Sequence, residues 1–163
     1  MIVLIDAFPA PRTFAMSVSS ERFDVTDPMV VVRLVCGLFY FPHSISKIIG
    51  FSGSVVFFTK AGFHPPEFFV VLSIVMELTC AVGLTLGLFP KYLGVVSAGL
   101  MMVAAYATVA VHGLGWFWAQ HGIEYLVFWG VASLAVALHA WNKNPGFFGL
   151  FAWPLRKAKP IAA

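Results

Sequence analysis

Residues 28–50, PMVVVRLVCGLFYFPHSISKIIG, form an apolar run long enough to cross a bilayer, yet they carry an arginine, a histidine and a lysine. About 20 helical residues span the ~30 Å hydrocarbon core, and a formal charge inside it is costly unless it meets a partner, a polar cavity or the headgroup layer. Arg33 and Lys47 therefore constrain everything else: they pair inside a bundle, or they snorkel to opposite headgroup layers. At 100° per residue, Arg33, Gly37, Tyr40, Ser44 and Lys47 share one stripe with His43 at its edge, while Val31, Leu34, Leu38, Phe41 and Ile45 point elsewhere. Pro42 removes a donor, frees the carbonyl of Leu38, and predicts a kink where the polar side chains gather.

Three more apolar runs follow, at about Glu67–Phe89, Tyr92–His112 and Ile123–Trp141. With 60% hydrophobic and 10% charged residues and a mean hydropathy of +0.90, the chain is expected to be all-α: an antiparallel up-down bundle of four transmembrane helices, the first kinked at Pro42. Thr26-Asp27-Pro28 is a helix start, and Gly87 with Pro90 ends the second span. The short link Pro90-Lys91 makes spans two and three antiparallel neighbours. Gly94, Ser97, Ala98, Gly99, Ala104, Ala105 and Ala107 allow close helix approach. In the linker 51–66, the segment Val55–Lys60 fits an interfacial helix or a plain loop, and the loop 113–122 places Trp116 and Trp118 at a membrane interface. Three parts result: residues 1–27, a membrane-surface or partner-binding segment; 28–142, the four-helix domain; and 143–163, a basic tail.

The net charge of +3 and pI near 9.0 read as membrane topology, since the basic residues form no separate patch and no nucleic-acid motif occurs. Arg12, Arg22, Lys91, Lys143, Arg156, Lys157 and Lys159 lie on one side of the spans and Lys60 on the other, with Lys47 at its rim. Both termini are thus expected in the cytoplasm. The start MIVLIDAFPAPR lacks the basic opening of a signal peptide.

Depths along the spans layer the ionisable groups. Lys47, His112 and Glu124 fall roughly 10–14 Å toward the outer face. Glu77 is nearly central, His43 lies below Lys47, and Arg33 and His139 lie on the inner side. Arg33, about 9 Å from Glu77 along the membrane normal, is within reach of it through a long side chain or a water. Arg33, His43, Lys47, Glu77, His112 and Glu124 are the candidate intramembrane polar site, serving either as a proton or quinone site or as a structural ion pair. Cys36 and Cys80, at similar depth, fit a redox pair or two small buried hydrophobes. No catalytic residue or metal ligand is assigned, and no motif for a covalently bound cofactor occurs; quinone or lipid is the ligand to expect.

The pieces RLVCGLFYFPHSISKIIGF, AGFHPP, MELTCAVGLTLGLFP, the stretch 101–112 and HGIEYLVFW stand in an order and spacing that resembles the DoxX family of small four-span membrane proteins, over about residues 29–142. Pro42-His43-Ser44 departs from the His-Gly pairing more typical of the family at that point. The resemblance implies a multi-pass protein of the bacterial cytoplasmic (inner) membrane. The aromatic-rich surface, which suits lipid and helix contacts, and the lack of a readable metal or cofactor motif lead us to expect an accessory subunit of a larger, energy-converting complex, with other subunits and the lipid bilayer as partners. The alternative is a quinone-linked oxidoreductase subunit of the thiosulfate-to-quinone type, with Arg33 and Glu77 lining the pocket and Lys47, His112 and Glu124 at its mouth.

Overall fold

The computed structural model describes residues 22–143. Most of the terminal segments assigned above lies outside that range. Four of its helices are long and apolar enough to cross a membrane: Pro28–Ile49, Pro66–Leu86, Pro90–His112 and Glu124–Lys143. The first span consists of α1 (Pro28–Leu38) and α2 (Tyr40–Ile49), and a shorter helix, α3 (Phe51–Lys60), follows it directly. Spans two to four are α4 (Pro66–Leu86), α5 (Pro90–His112) and α6 (Glu124–Lys143), with a single 3₁₀ turn, Trp118–Gln120, in the last loop.

Local chemistry sets these boundaries. The Asp27 carboxylate accepts the Met29 N–H at 2.9 Å and Pro28 occupies the first turn of α1, which satisfies an orphan donor and uses proline where no donor is needed. Span one breaks at Phe39, three residues before Pro42. Without a proline N–H the Leu38 carbonyl has no i+4 partner, and restarting at Tyr40 puts Pro42 in a new first turn. At the other end of α4, Gly87 takes φ +68° while Leu88 N–H bonds the Gly83 carbonyl at 2.7 Å. That left-handed cap turns the chain straight into α5.

Each span packs on the next in sequence, and α6 closes against α1, as an up-down bundle requires. The α5–α6 seam is the most extensive. Gly94 explains it: a Cβ there would stand 2.6 Å from the Ser133 carbonyl oxygen and 2.9 Å from Ala137 Cβ. The backbones approach at small residues, where packing supplies the attraction that water would supply in a soluble protein. Gly99, expected to act likewise, has nothing within 4 Å and borders a cavity instead. Near the Gly87 turn, α4 and α5 meet where Leu93 fills the space a side chain at Gly83 would need; towards the opposite end of the bundle the cavity lies between them.

The core is a cluster of Cys36, Tyr40, Cys80, Ala81, Leu84, Met101, Trp129 and Val136. Val31, Leu38 and Ile45 are exposed, as lipid-facing residues should be. At the end of the bundle where the described chain starts and stops, here the terminal end, the Asp27 carboxylate binds Lys143 Nζ at 2.7 Å with His139 Nε2 at 3.5 Å. This ties span four to the cap of span one. The other end, carrying α3 and the loop 113–123, is the loop end.

Two outcomes follow. Gly94→Ala meets backbone that cannot step aside and should cost roughly 1–3 kcal/mol, read as a lowered melting temperature in detergent. Lys143 and the Met29 N–H hold the Asp27 carboxyl below its usual value of 3.8. A depressed carboxyl stabilises the fold above its unfolded pKa, and that contribution disappears as pH falls through the lower native value. Asp27→Asn keeps an N-cap and loses the charge, so it should lower stability by roughly 0.5 kcal/mol at pH 7, and its gap to the parent should narrow in thermal melts as pH is lowered below the ordinary carboxyl range.

Candidate functional site

The two cations of span one leave it in ways that helix geometry dictates. Cα–Cβ bonds tilt toward a helix N-terminus, so both side chains reach toward the terminal end. For Arg33, already in that half of the span, the reach leads out of the membrane core; for Lys47, near the loop end, it leads in.

Arg33 is buried and its guanidinium donates to the Leu84 carbonyl, to the Thr85 carbonyl at 3.2 Å and to the Arg22 carbonyl. The last carbonyls of α4 have no partner within their own helix and carry the negative end of its dipole, so the arginine caps α4. A Cβ at Gly87 would stand 2.8 Å from Arg33 Nη1, which makes glycine necessary there for space as well as for its φ. The expected approach of Arg33 to Glu77 is thereby corrected.

Glu77, at the middle of α4, pairs instead with Lys47 Nζ and accepts from Ser44 Oγ at 3.3 Å. Lys47, Ser44 and Tyr40 lie on the predicted stripe, and each meets a polar group. The Tyr40 hydroxyl hydrogen-bonds Ser97 Oγ at 2.7 Å, and Ser97 Oγ hydrogen-bonds Ser133 Oγ at 2.7 Å. This is a buried hydroxyl chain across spans one, three and four. From sequence Ser97 reads as a small packing residue, and Ser133 carries no signal beyond being polar in an apolar run.

The expected outer layer does not assemble. Lys47 has turned inward; Glu124 Oε1 accepts from the Trp118 N–H at 3.3 Å within its own loop; His112, the last residue of α5, stacks on His121 at 4.4 Å between ring centroids and lies by Phe57. His43 joins spans one and four, with Nε2 2.9 Å from the Tyr125 hydroxyl and its ring against Trp129. Cys36 and Cys80 are free, buried thiols of one core cluster. Lys91, placed by the sequence in the short link between spans two and three, is buried with its ammonium 5.3 and 5.4 Å from the ring centres of Tyr92 and Trp141.

Beside the Lys47–Glu77 pair lies a cavity of about 520 Å³ between α4 and α5, with α3 contributing to its wall. Phe57, Phe58, Phe63 and Phe69 wall it toward the loop end, and Met76, Val96 and Leu100 line it deeper. Apart from the ion pair, its polar side chains are Ser73 and Thr108. Each donates to a carbonyl of its own helix at 2.8 Å, so each offers lone pairs to the cavity. Sequence reading does not single out these aromatics, because a cavity wall and a lipid face demand the same side chains.

Fold and site together define a multi-pass membrane protein with one ion pair exposed to an apolar internal cavity. The family model DoxX matches residues 29–113, just over half of the chain, and the protein belongs to that family. No curated protein and no solved structure matches it.

The pairing has a direct test. Removing one member of a buried ion pair leaves an uncompensated charge, at about 3–5 kcal/mol, whereas replacing both with apolar groups is close to neutral. Glu77→Ala should therefore lower stability by that order in detergent unfolding, and Lys47→Met with Glu77→Leu should regain most of it.

Proposed function

We propose that this protein is the quinone-binding membrane subunit of a larger redox complex in a bacterial cytoplasmic membrane, with both termini on the cytoplasmic side. The observation that carries the reading is a cavity of about 520 Å³, apolar on nearly all its walls, with the Lys47–Glu77 pair set into its lining. Ligand sites typically occupy 300–1,000 Å³ and combine apolar walls with a few placed polar groups. An ammonium has three N–H donors; Lys47 gives one to Glu77 and can offer another to a quinone carbonyl. Ser73 and Thr108, with their own protons committed, can accept from the hydroxyls of the reduced form.

Quinone, when bound, supplies a two-electron, two-proton carrier. The electrons come from a partner redox subunit. This chain's part is to hold and orient the head group at Lys47 and Glu77, whose two charges compensate each other in an apolar setting. The excess of Lys and Arg at the terminal end over the loop end supports the orientation. The Arg33 role in the pocket is not retained, since its guanidinium is committed to α4.

The test is equilibrium binding of a short-tailed quinone to the protein in nanodiscs. The parent chain should bind saturably. Glu77→Gln should weaken binding at least tenfold, and Gly99→Trp, which fills open space away from the ion pair, should abolish it. A parent chain without saturable binding, or a Gly99→Trp variant that binds like the parent, contradicts the proposal.

A further inference from the structure

The cavity has a side opening whose depth identifies what can enter. Leu72 on α4 and Val103 on α5 both line the cavity, yet they are 38% and 50% exposed, so they form its rim. Counting from the midpoints of their helices, Leu72 lies about 6 Å and Val103 about 3 Å towards the loop end. The hydrocarbon core extends about 15 Å to either side of its centre. The rim is therefore immersed in acyl chains, far from either water layer.

Toward the water at the loop end the cavity is lined by a layer of aromatic rings. Phe58 and Phe63 lie 5.4 Å apart, Phe63 and Phe69 5.2 Å, and Phe63 meets Tyr106 edge-on at 6.0 Å. Phe57 extends this layer to His112. A hydrated solute crossing the layer would shed its water among ring faces that replace little of it. The charge of the site selects further. Lys47 and Glu77 neutralise each other, so a head group bearing net charge would either stay uncompensated in an apolar cavity or take one member of the pair and leave the other so.

Resting on the reading of this cavity as a ligand site, we propose that its ligand enters sideways from the hydrocarbon phase through a portal between Leu72 and Val103. The ligand class is then a hydrocarbon-tailed amphiphile with an uncharged, hydrogen-bonding head. The head docks on Lys47 and Glu77 while the tail leaves through the portal into the bilayer. Ions and water-soluble solutes are excluded.

The test uses the full chain in nanodiscs containing a phospholipid with a photoreactive diazirine at mid-chain, adducts being mapped by mass spectrometry. Glu77 and Ala107 line the cavity and are only 7% and 4% exposed, so they report entry. Met102, 71% exposed and outside the cavity lining, reports ordinary lipid contact and an intact bundle. Acyl-chain adducts are expected on Glu77 or Ala107 in the parent chain. Leu72→Trp with Val103→Trp should reduce them at least fivefold while leaving those on Met102 unchanged. No adducts at Glu77 and Ala107 in the parent, or undiminished adducts in the narrowed variant, would overturn the portal. A short-tailed quinone should compete with the interior adducts. Adducts that the double tryptophan variant suppresses and quinone leaves unchanged would uphold the portal and remove the quinone reading.

Discussion

The ion pair between Lys47 and Glu77 is the constraint from which the rest of the bundle takes its form. A carboxylate at the middle of a transmembrane helix stays ionised only beside a cation, and the cation comes from a neighbouring span. Lysine suits this position because its flexible stem lies along apolar surface and places the charge about a side chain's length from its own Cα. Ser44, one turn earlier on the same stripe, gives the second carboxylate oxygen a donor. Spans one and two are thus fixed in register by two polar contacts near the bilayer centre, while Gly37 lets their backbones close up on Thr85.

The remaining polar groups follow the same rule. Arg33 finds the carbonyls ending α4, Tyr40 finds Ser97 and Ser133, and His43 finds Tyr125. Spans one and four are held by the His43–Tyr125 contact and by the Asp27 clamp, spans three and four by small-residue packing and the Ser97–Ser133 hydrogen bond. Spans two and three, tied closely at the Gly87 turn, part around the cavity. The seam that parts around the cavity is also the one that presents the ion pair to a ligand.

Much of this is legible in the sequence. Period 3.6 places Arg33, Gly37, Tyr40, Ser44 and Lys47 on an inward face, because an apolar helix with one polar stripe has few other ways to satisfy it. Four spans, their short link and the boundaries at Asp27-Pro28 and Gly87 come from length and punctuation. The interfacial alternative for Val55–Lys60 corresponds to α3, which begins earlier, at Phe51. What counting residues along a helix does not supply is direction. It gives the depth of each Cα, whereas a long side chain moves its charge most of the way between layers, so counting alone matches Arg33 to Glu77 and Lys47 to His112 and Glu124. Nor does composition separate the phenylalanines that wall the cavity from those that face lipid, since both surroundings are apolar. Lys91 shows the same limit: its place in a two-residue link gives a side of the membrane and not its surroundings, and here it is buried beside Tyr92 and Trp141.

One distance in a bilayer decides whether the bundle is built around this pair, and solid-state NMR reads it directly from protein labelled with ¹⁵N at Lys47 Nζ and ¹³C at Glu77 Cδ. Strong dipolar coupling is expected, corresponding to an ion pair with nitrogen and oxygen within about 4 Å, together with a carboxylate rather than carboxylic-acid shift for Glu77 at neutral pH. A Lys47 nitrogen without coupling to Glu77 and in contact with headgroup water would contradict it.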